Sequence, residues 1–257
     1  MPNPVPSAAQ RWTALFTRPV PNLALRVAVL LLGFAFIALG VALSRATGMG
    51  TSPISCVPAV LSFASDLSIG TYTFVLNTLF LVLQVVLLRR DFKPVQLLQL
   101  PATFVFSVLI DAFVPLAQLI PLPNYPACVA LMLVSVVCTA LGVFLEVKAV
   151  LVPLPGEGVS TTVSRVFGVD FSRCKLGFDI TNVVVGAALS LAALHGLYGV
   201  REGTVLAALA VGPLVRLLNR LFPRMERVVP TAAPGLLFTG QSVAPAPRPA
   251  VPEPAEA

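Results

Sequence analysis

The stretch LALRVAVLLLGFAFIALGVALS, residues 23–44, carries a single charge, Arg26, in a run otherwise built of apolar and small side chains. As a helix rising about 1.5 Å per residue it covers the roughly 30 Å of hydrocarbon in a bilayer. Residues 1–22 before it are polar and proline-bearing, and with Arg11, Trp12 and Arg18 they read as a cytoplasmic lead-in whose indole sits at headgroup level. A cleaved leader has a shorter apolar part, and the same pattern recurs later in the chain, so the stretch reads as a retained spanning helix.

Working outward, comparable runs occupy residues 71–88, 95–119, 126–145, 176–197 and 204–218. The whole chain agrees, with 57% hydrophobic and 11% charged residues, where a soluble domain carries about 25% charged residues to wet its surface. Lipid is therefore the expected solvent. Between the first and second spans, and again between the fourth and fifth, lie residues 49–65 and 154–167. Each is too short or too polar to cross, yet too apolar and too Gly/Pro-punctuated for an ordinary loop, and reads as a short re-entrant or interfacial helix.

Lys and Arg set the orientation. With the N-terminus inside, the cytoplasmic side collects Arg11, Arg18 and Arg26, then Arg89, Arg90 and Lys93, then Lys148, Arg165, Arg173 and Lys175, then Arg216, Arg220, Arg224 and Arg227. The other side keeps Arg45 and Arg201, which predicts six spans with both termini cytoplasmic. The net charge of +6 thus belongs to membrane anchoring, and no basic stretch is interleaved with aromatics as nucleic-acid binding requires. Cys56, Cys128, Cys138 and Cys174 show no CxxC spacing and His195 is the one histidine, so no metal site and no cofactor is expected. With neither GxSxG nor HExxH present, the chain does not read as an enzyme.

The two halves resemble each other. Ala38-Leu39-Gly40-Val41 matches Ala140-Leu141-Gly142-Val143, and at nearly the same spacing Asn77 falls on Asn182 and Asp111 on Arg216. Each half reads span, short helix, span, span, and an odd number of spans makes the second copy enter from the opposite face. The expected fold is an all-α integral membrane protein of about six transmembrane helices in two inverted three-helix repeats. The lead-in covers residues 1–22, the repeats 23–120 and 121–224, and the Ala/Pro-rich residues 225–257 form a tail expected to be disordered and cytoplasmic.

The stretches LGVALSRATGMGTSP and GTYTFVLN, with LPGEGVSTTVSRVFG and KLGFDITNVVVG in the second half, resemble the YczE/YyaS/YitT group of bacterial membrane proteins over residues 25–222. YitT-type members typically carry a cytosolic domain after the membrane part, so the resemblance is closer to the YczE branch. It implies a multi-pass inner-membrane protein and leaves the biochemical role open.

Ionisable groups within spans need a reason, because each costs about 2.5–3.5 kcal/mol at a helix centre on insertion scales. Asp179 follows Lys175 by one turn, so it forms either a structural ion pair or, with Asn182 and Asn77, a polar site. Asp111 and Arg216 are expected to pair across the halves as a salt bridge, with proton or ion coupling at Asp111 as the alternative. Glu157 in Pro155-Gly156-Glu157-Gly158, then Ser160 and Thr161, and in the first half Thr51 and Ser52, form duplicated Gly and hydroxyl clusters. Such clusters either cap the short helices or line a shared substrate site. Glu146 and Lys148 read as interfacial, His195 as a headgroup-boundary residue, and Gly186 with Ser190 as a packing face. The expectation is a transporter-like permease for a small solute, with a non-transporting scaffold as the alternative. The bilayer is the one assured partner, and the oligomeric state is left open.

Overall fold

A computed structural model describes residues 23–222 apart from Val150, and the regular elements among them are all helical. The first half contains α1 (Leu23–Thr47), α2 (Pro53–Ala64), α3 (Ile69–Leu88) and α4 (Gln99–Gln118). The second contains α5 (Tyr125–Ala149), α6 (Pro155–Phe167), α7 (Phe171–Leu194) and α8 (Glu202–Leu221). A 3-10 turn, Pro94–Leu98, leads into α4. Six of these helices, all but α2 and α6, are long and apolar enough to cross a membrane. The protein is an all-α, multi-pass membrane protein. The expected lead-in and tail lie outside the described residues.

Boundaries follow local chemistry. The helix α7 starts five residues before its apolar run because Asp170 caps it, its Oδ1 accepting from the backbone N–H of Ser172 at 2.9 Å and of Arg173 at 3.3 Å. It stops at Leu194, where His195 takes a left-handed conformation and the buried Ser190 hydroxyl donates to the Gly196 carbonyl at 2.6 Å. Asp170→Ala is expected to lower stability by about 1 kcal/mol, read as a small downward shift in melting temperature. An unchanged melt would mean the cap contributes nothing.

Packing centres on an antiparallel crossing of α1 and α5, with α4 covering α1 and α8 covering α5. Between helices in lipid the hydrophobic effect is weak, so close approach at small residues supplies the attraction. A Cβ at Gly40 would collide with Thr139 and lie 2.9 Å from the Ser135 carbonyl, and one at Gly142 would lie 2.5 Å from Ile37 and 2.6 Å from the Gly33 carbonyl. Overlaying Gly40 on Gly142 also overlays Ile37 on Thr139 and Gly33 on Ser135, so one set of contacts is the other with the halves exchanged. Phe34, Phe106, Ile110 and Phe144 fill the surrounding core, Phe34 meeting Phe106 at 5.8 Å between ring centroids. Outward lie Leu79, Leu119 and Leu209, each more than half exposed, as a lipid-facing surface requires.

The short helices are exchanged between halves: α2 packs on α7, and α6 on α3. Calling the end of the bundle where α1 starts proximal, α6 runs outward to the proximal end, where Arg165 lies 4.0 Å from Asp91. The C-terminal end of α2 reaches the distal end, where Arg45 of α1 bonds Ser62.

Candidate functional site

The N-termini of the two short helices meet inside the bundle. A Cβ at Gly156 would run into the Ile54 side chain and sit 3.7 Å from the Phe178 ring. On α7 the meeting is bracketed by Phe178, beside Gly156, and by Gly186, against which Cys56 lies half a turn into α2 from Ile54, so it falls near the middle of that helix. Both helices open with proline, at Pro53 and Pro155, where a missing N–H is harmless. Pro58 has no N–H to offer the carbonyl of Ile54, so α2 presents an altered backbone where the helices meet.

The Pro155-Gly156-Glu157-Gly158 stretch follows from these contacts. Gly156 leaves room for Ile54, and Gly158 leaves room for Gln84, whose amide atoms would lie within 2.9 Å of any Cβ there. Gln84 is fully buried, donating to Gln99 Oε1 at 3.0 Å and to the Pro155 carbonyl at 3.1 Å, while Gln99 Nε2 donates back to Gln84 Oε1 at 3.3 Å. Three helices are thereby joined by one amide network. Gln84→Leu strands the buried Gln99 amide and should cost about 1–3 kcal/mol, whereas Gln84→Leu with Gln99→Leu should recover part of it. Additive losses in the double variant, read by thermal melting, would show that the amides act separately.

Each predicted residue has a definite place. Asp179 pairs with Lys175 at 2.9 Å, and it lies within electrostatic reach of Glu157 in α6 and Cys56 in α2. The two readings of Asp179 therefore combine: it is an ion pair beside the meeting point. Asn77 and Asn182 are buried, their amides donating back to Thr73 and Phe178 carbonyls at 2.9 and 2.8 Å. They lie on opposite helices, about one turn from the Phe80–Phe178 ring pair, whose centroids are 5.0 Å apart. Asn77 Oδ1 has no hydrogen-bond partner. Ser160 and Thr51 are both 1% exposed, and their hydroxyls also lack partners. Glu157 is half-buried in the first turn of α6, with its carbonyl taking the Thr161 hydroxyl at 3.0 Å. Ser52 precedes α2 but bonds the Ser55 hydroxyl at 3.1 Å and makes no side-chain cap. Capping thus does not account for these hydroxyls, whereas Ser68 does cap α3.

Two expectations are corrected. Asp111 and Arg216 do not pair: Asp111 accepts from the Ser68 hydroxyl at 2.7 Å and from the Gly70 N–H at 2.8 Å at the distal end, while Arg216 is exposed near the proximal end of α8. Glu146 and Lys148 are not interfacial but buried, at 5% and 4% exposure. Glu146 Oε1 accepts from the Leu154 N–H at 2.8 Å and lies within electrostatic reach of Glu157 and Lys175. Gly186 and Ser190 do pack inside the bundle, Gly186 against Cys56 and Val200. Sequence reasoning missed Gln84, Gln99 and the depth of Arg26, which is 1% exposed and donates to the Ala149 carbonyl at 3.1 Å.

Fold and site together define a multi-pass membrane protein in which two short helices from different halves converge on a buried polar centre. The chain belongs to the family of unknown function DUF6198, whose family model matches residues 24–220. No curated protein and no solved structure matches it.

Proposed function

We propose that this protein is a permease of the inner membrane, with both termini cytoplasmic, in which two inverted repeats move a small polar solute past the meeting point of α2 and α6. The observation that carries the reading is the convergence of two short-helix N-termini near mid-depth beside Asn77, Ser160 and Asn182. Buried polar groups normally find partners, and Asn77 and Ser160 each present an oxygen that has none. Paired short helices at a repeat interface are the arrangement through which secondary transporters take a solute. The exchange-related contacts of Gly40 and Gly142 support the inverted repeat, and basic residues concentrated at the proximal end support the orientation. In this reading Asn77, Asn182 and Ser160 touch the solute, Asp179 and Glu157 set the charge of the centre, Thr161 holds the α6 backbone, and Ser52 is tied to the Ser55 hydroxyl at the start of α2. The sequence likeness to the YczE branch fits such a protein.

The test is access from both faces. In a background without native cysteines, Asn77→Cys and Asn182→Cys are treated with small impermeant thiol reagents in right-side-out and in inverted vesicles. A permease labels these positions from each face. Labelling of neither position from either face removes the pathway and leaves a scaffold role as the better account.

A further inference from the structure

A cleft of about 530 Å³ opens at the distal end, between the end of α1, the turn before α2 and the α7–α8 connection. We propose that this cleft is a binding site for a small oxyanion, of the phosphate or carboxylate class, held between Arg45 and Arg201. The Arg45 guanidinium bonds the Ser62 hydroxyl and lies 4.2 Å from the Phe63 ring centroid, and its buried Nε has no partner. Asp111 acts on Arg45 only through space, its oxygens being held by Ser68 and Gly70. Arg201 stands on the facing wall, 48% exposed, with Nη1 donating to the Gly48 carbonyl at 3.3 Å and Nε 3.3 Å from Glu202 at the rim. Between them Thr51, 1% exposed, lines the cleft with a hydroxyl that has no partner, while its N–H is used by the Gly199 carbonyl at 3.1 Å.

Two cations, faced by Glu202 at the rim and through space by Asp111, leave two buried donors unused between them, and an anion can complete these donors. A desolvated guanidinium N–H left unpaired is costly, and the planar fork of arginine matches the oxygens of phosphate or carboxylate. The turn brings its backbone close because Gly50 adopts φ of 100°, and a Cβ there would lie 2.7 Å from the Arg201 nitrogen. The anion can be a soluble solute or the phosphate of a lipid headgroup, and both present the same oxygens.

The purified full chain, delipidated in non-ionic detergent, is titrated calorimetrically with inorganic phosphate. In parallel, native and variant proteins in nanodiscs of mixed phosphatidylcholine and phosphatidylglycerol are extracted, and the co-purifying phosphatidylglycerol is counted. Saturable phosphate binding weakened about tenfold in both Arg45→Gln and Arg201→Gln supports the site with a soluble anion. Retained phosphatidylglycerol lost in both variants, without phosphate binding, supports it with a lipid headgroup. Absence of both, or binding that neither variant changes, overturns it. Should Arg45→Gln fail to fold, Arg201→Gln, whose side chain is 48% exposed, decides the result alone, loss of binding supporting the site and unchanged binding overturning it. None of these readouts requires transport, so this site can fail while the permease reading stands.

Discussion

Replacing Gly142 with leucine is expected to prevent the bundle from assembling, giving little or no monodisperse protein. A Cβ at this position would lie 2.6 Å from both the Gly33 carbonyl oxygen and the Ile37 nitrogen. These are backbone atoms, which no rotamer change can move, so α1 and α5 would have to separate along the crossing that organises the core. Overpacking a side-chain contact costs about 1–3 kcal/mol, and a backbone contact lies at or beyond the upper end of that range. Against a total stability of about 5–15 kcal/mol such a loss is severe. Gly40→Leu should behave alike, since the Ser135 carbonyl stands 2.9 Å from its Cβ position. Gly212→Leu is the control, because nothing lies within 4 Å of a Cβ there, and a helical glycine replaced in open space gains up to about 1 kcal/mol. Equal melting temperatures for the Gly142 and Gly212 variants would refute the crossing.

The spans were legible because a helix in lipid must be apolar over its whole length, which composition alone reveals. The matching Ala-Leu-Gly-Val tetrads were legible, but their use was not: only the folded chain shows Gly40 and Gly142, with Gly33, as points where α1 and α5 approach backbone to backbone. Pairing Asp111 with Arg216 from the same duplication failed for a geometric reason. Ile54 and Gly156, which share the spacing of Gly40 and Gly142, meet inside the bundle, whereas Asp111 is held at the distal end and Arg216 is exposed near the proximal one. The buried amides of Gln84 and Gln99 left no periodic signature, each being a lone polar residue near a helix end. A signal for Glu146 did exist, however. After Lys148 the chain continues Ala149-Val150-Leu151-Val152-Pro153-Leu154, an apolar connection where a solvated loop would be polar. Leu151, Val152 and Leu154 are indeed buried, so the chain turns back into the protein after α5, and the helix end that looked interfacial is covered.

That burial makes Glu146→Leu the second variant with a large expected effect. The Glu146 carboxylate takes the N–H of Leu154, the residue before Pro155, and so fixes where α6 begins relative to α5. Leucine matches its bulk but supplies no acceptor, leaving a buried N–H unpaired at a cost of about 1–3 kcal/mol. Glu146→Gln keeps an oxygen for Leu154 and should cost markedly less, so the difference between the two variants measures the acceptor. The damage should also be local. Hydrogen exchange should rise at the start of α6 in Glu146→Leu, while the α1–α5 crossing keeps its protection, since its contacts at Gly40 and Gly142 do not involve this carboxylate. Equal behaviour of the leucine and glutamine variants, or protection of α6 unchanged in both, would mean that its start is held by Gln84 and Ile54 instead. The meeting of the short helices would then depend on α2 and α3 alone.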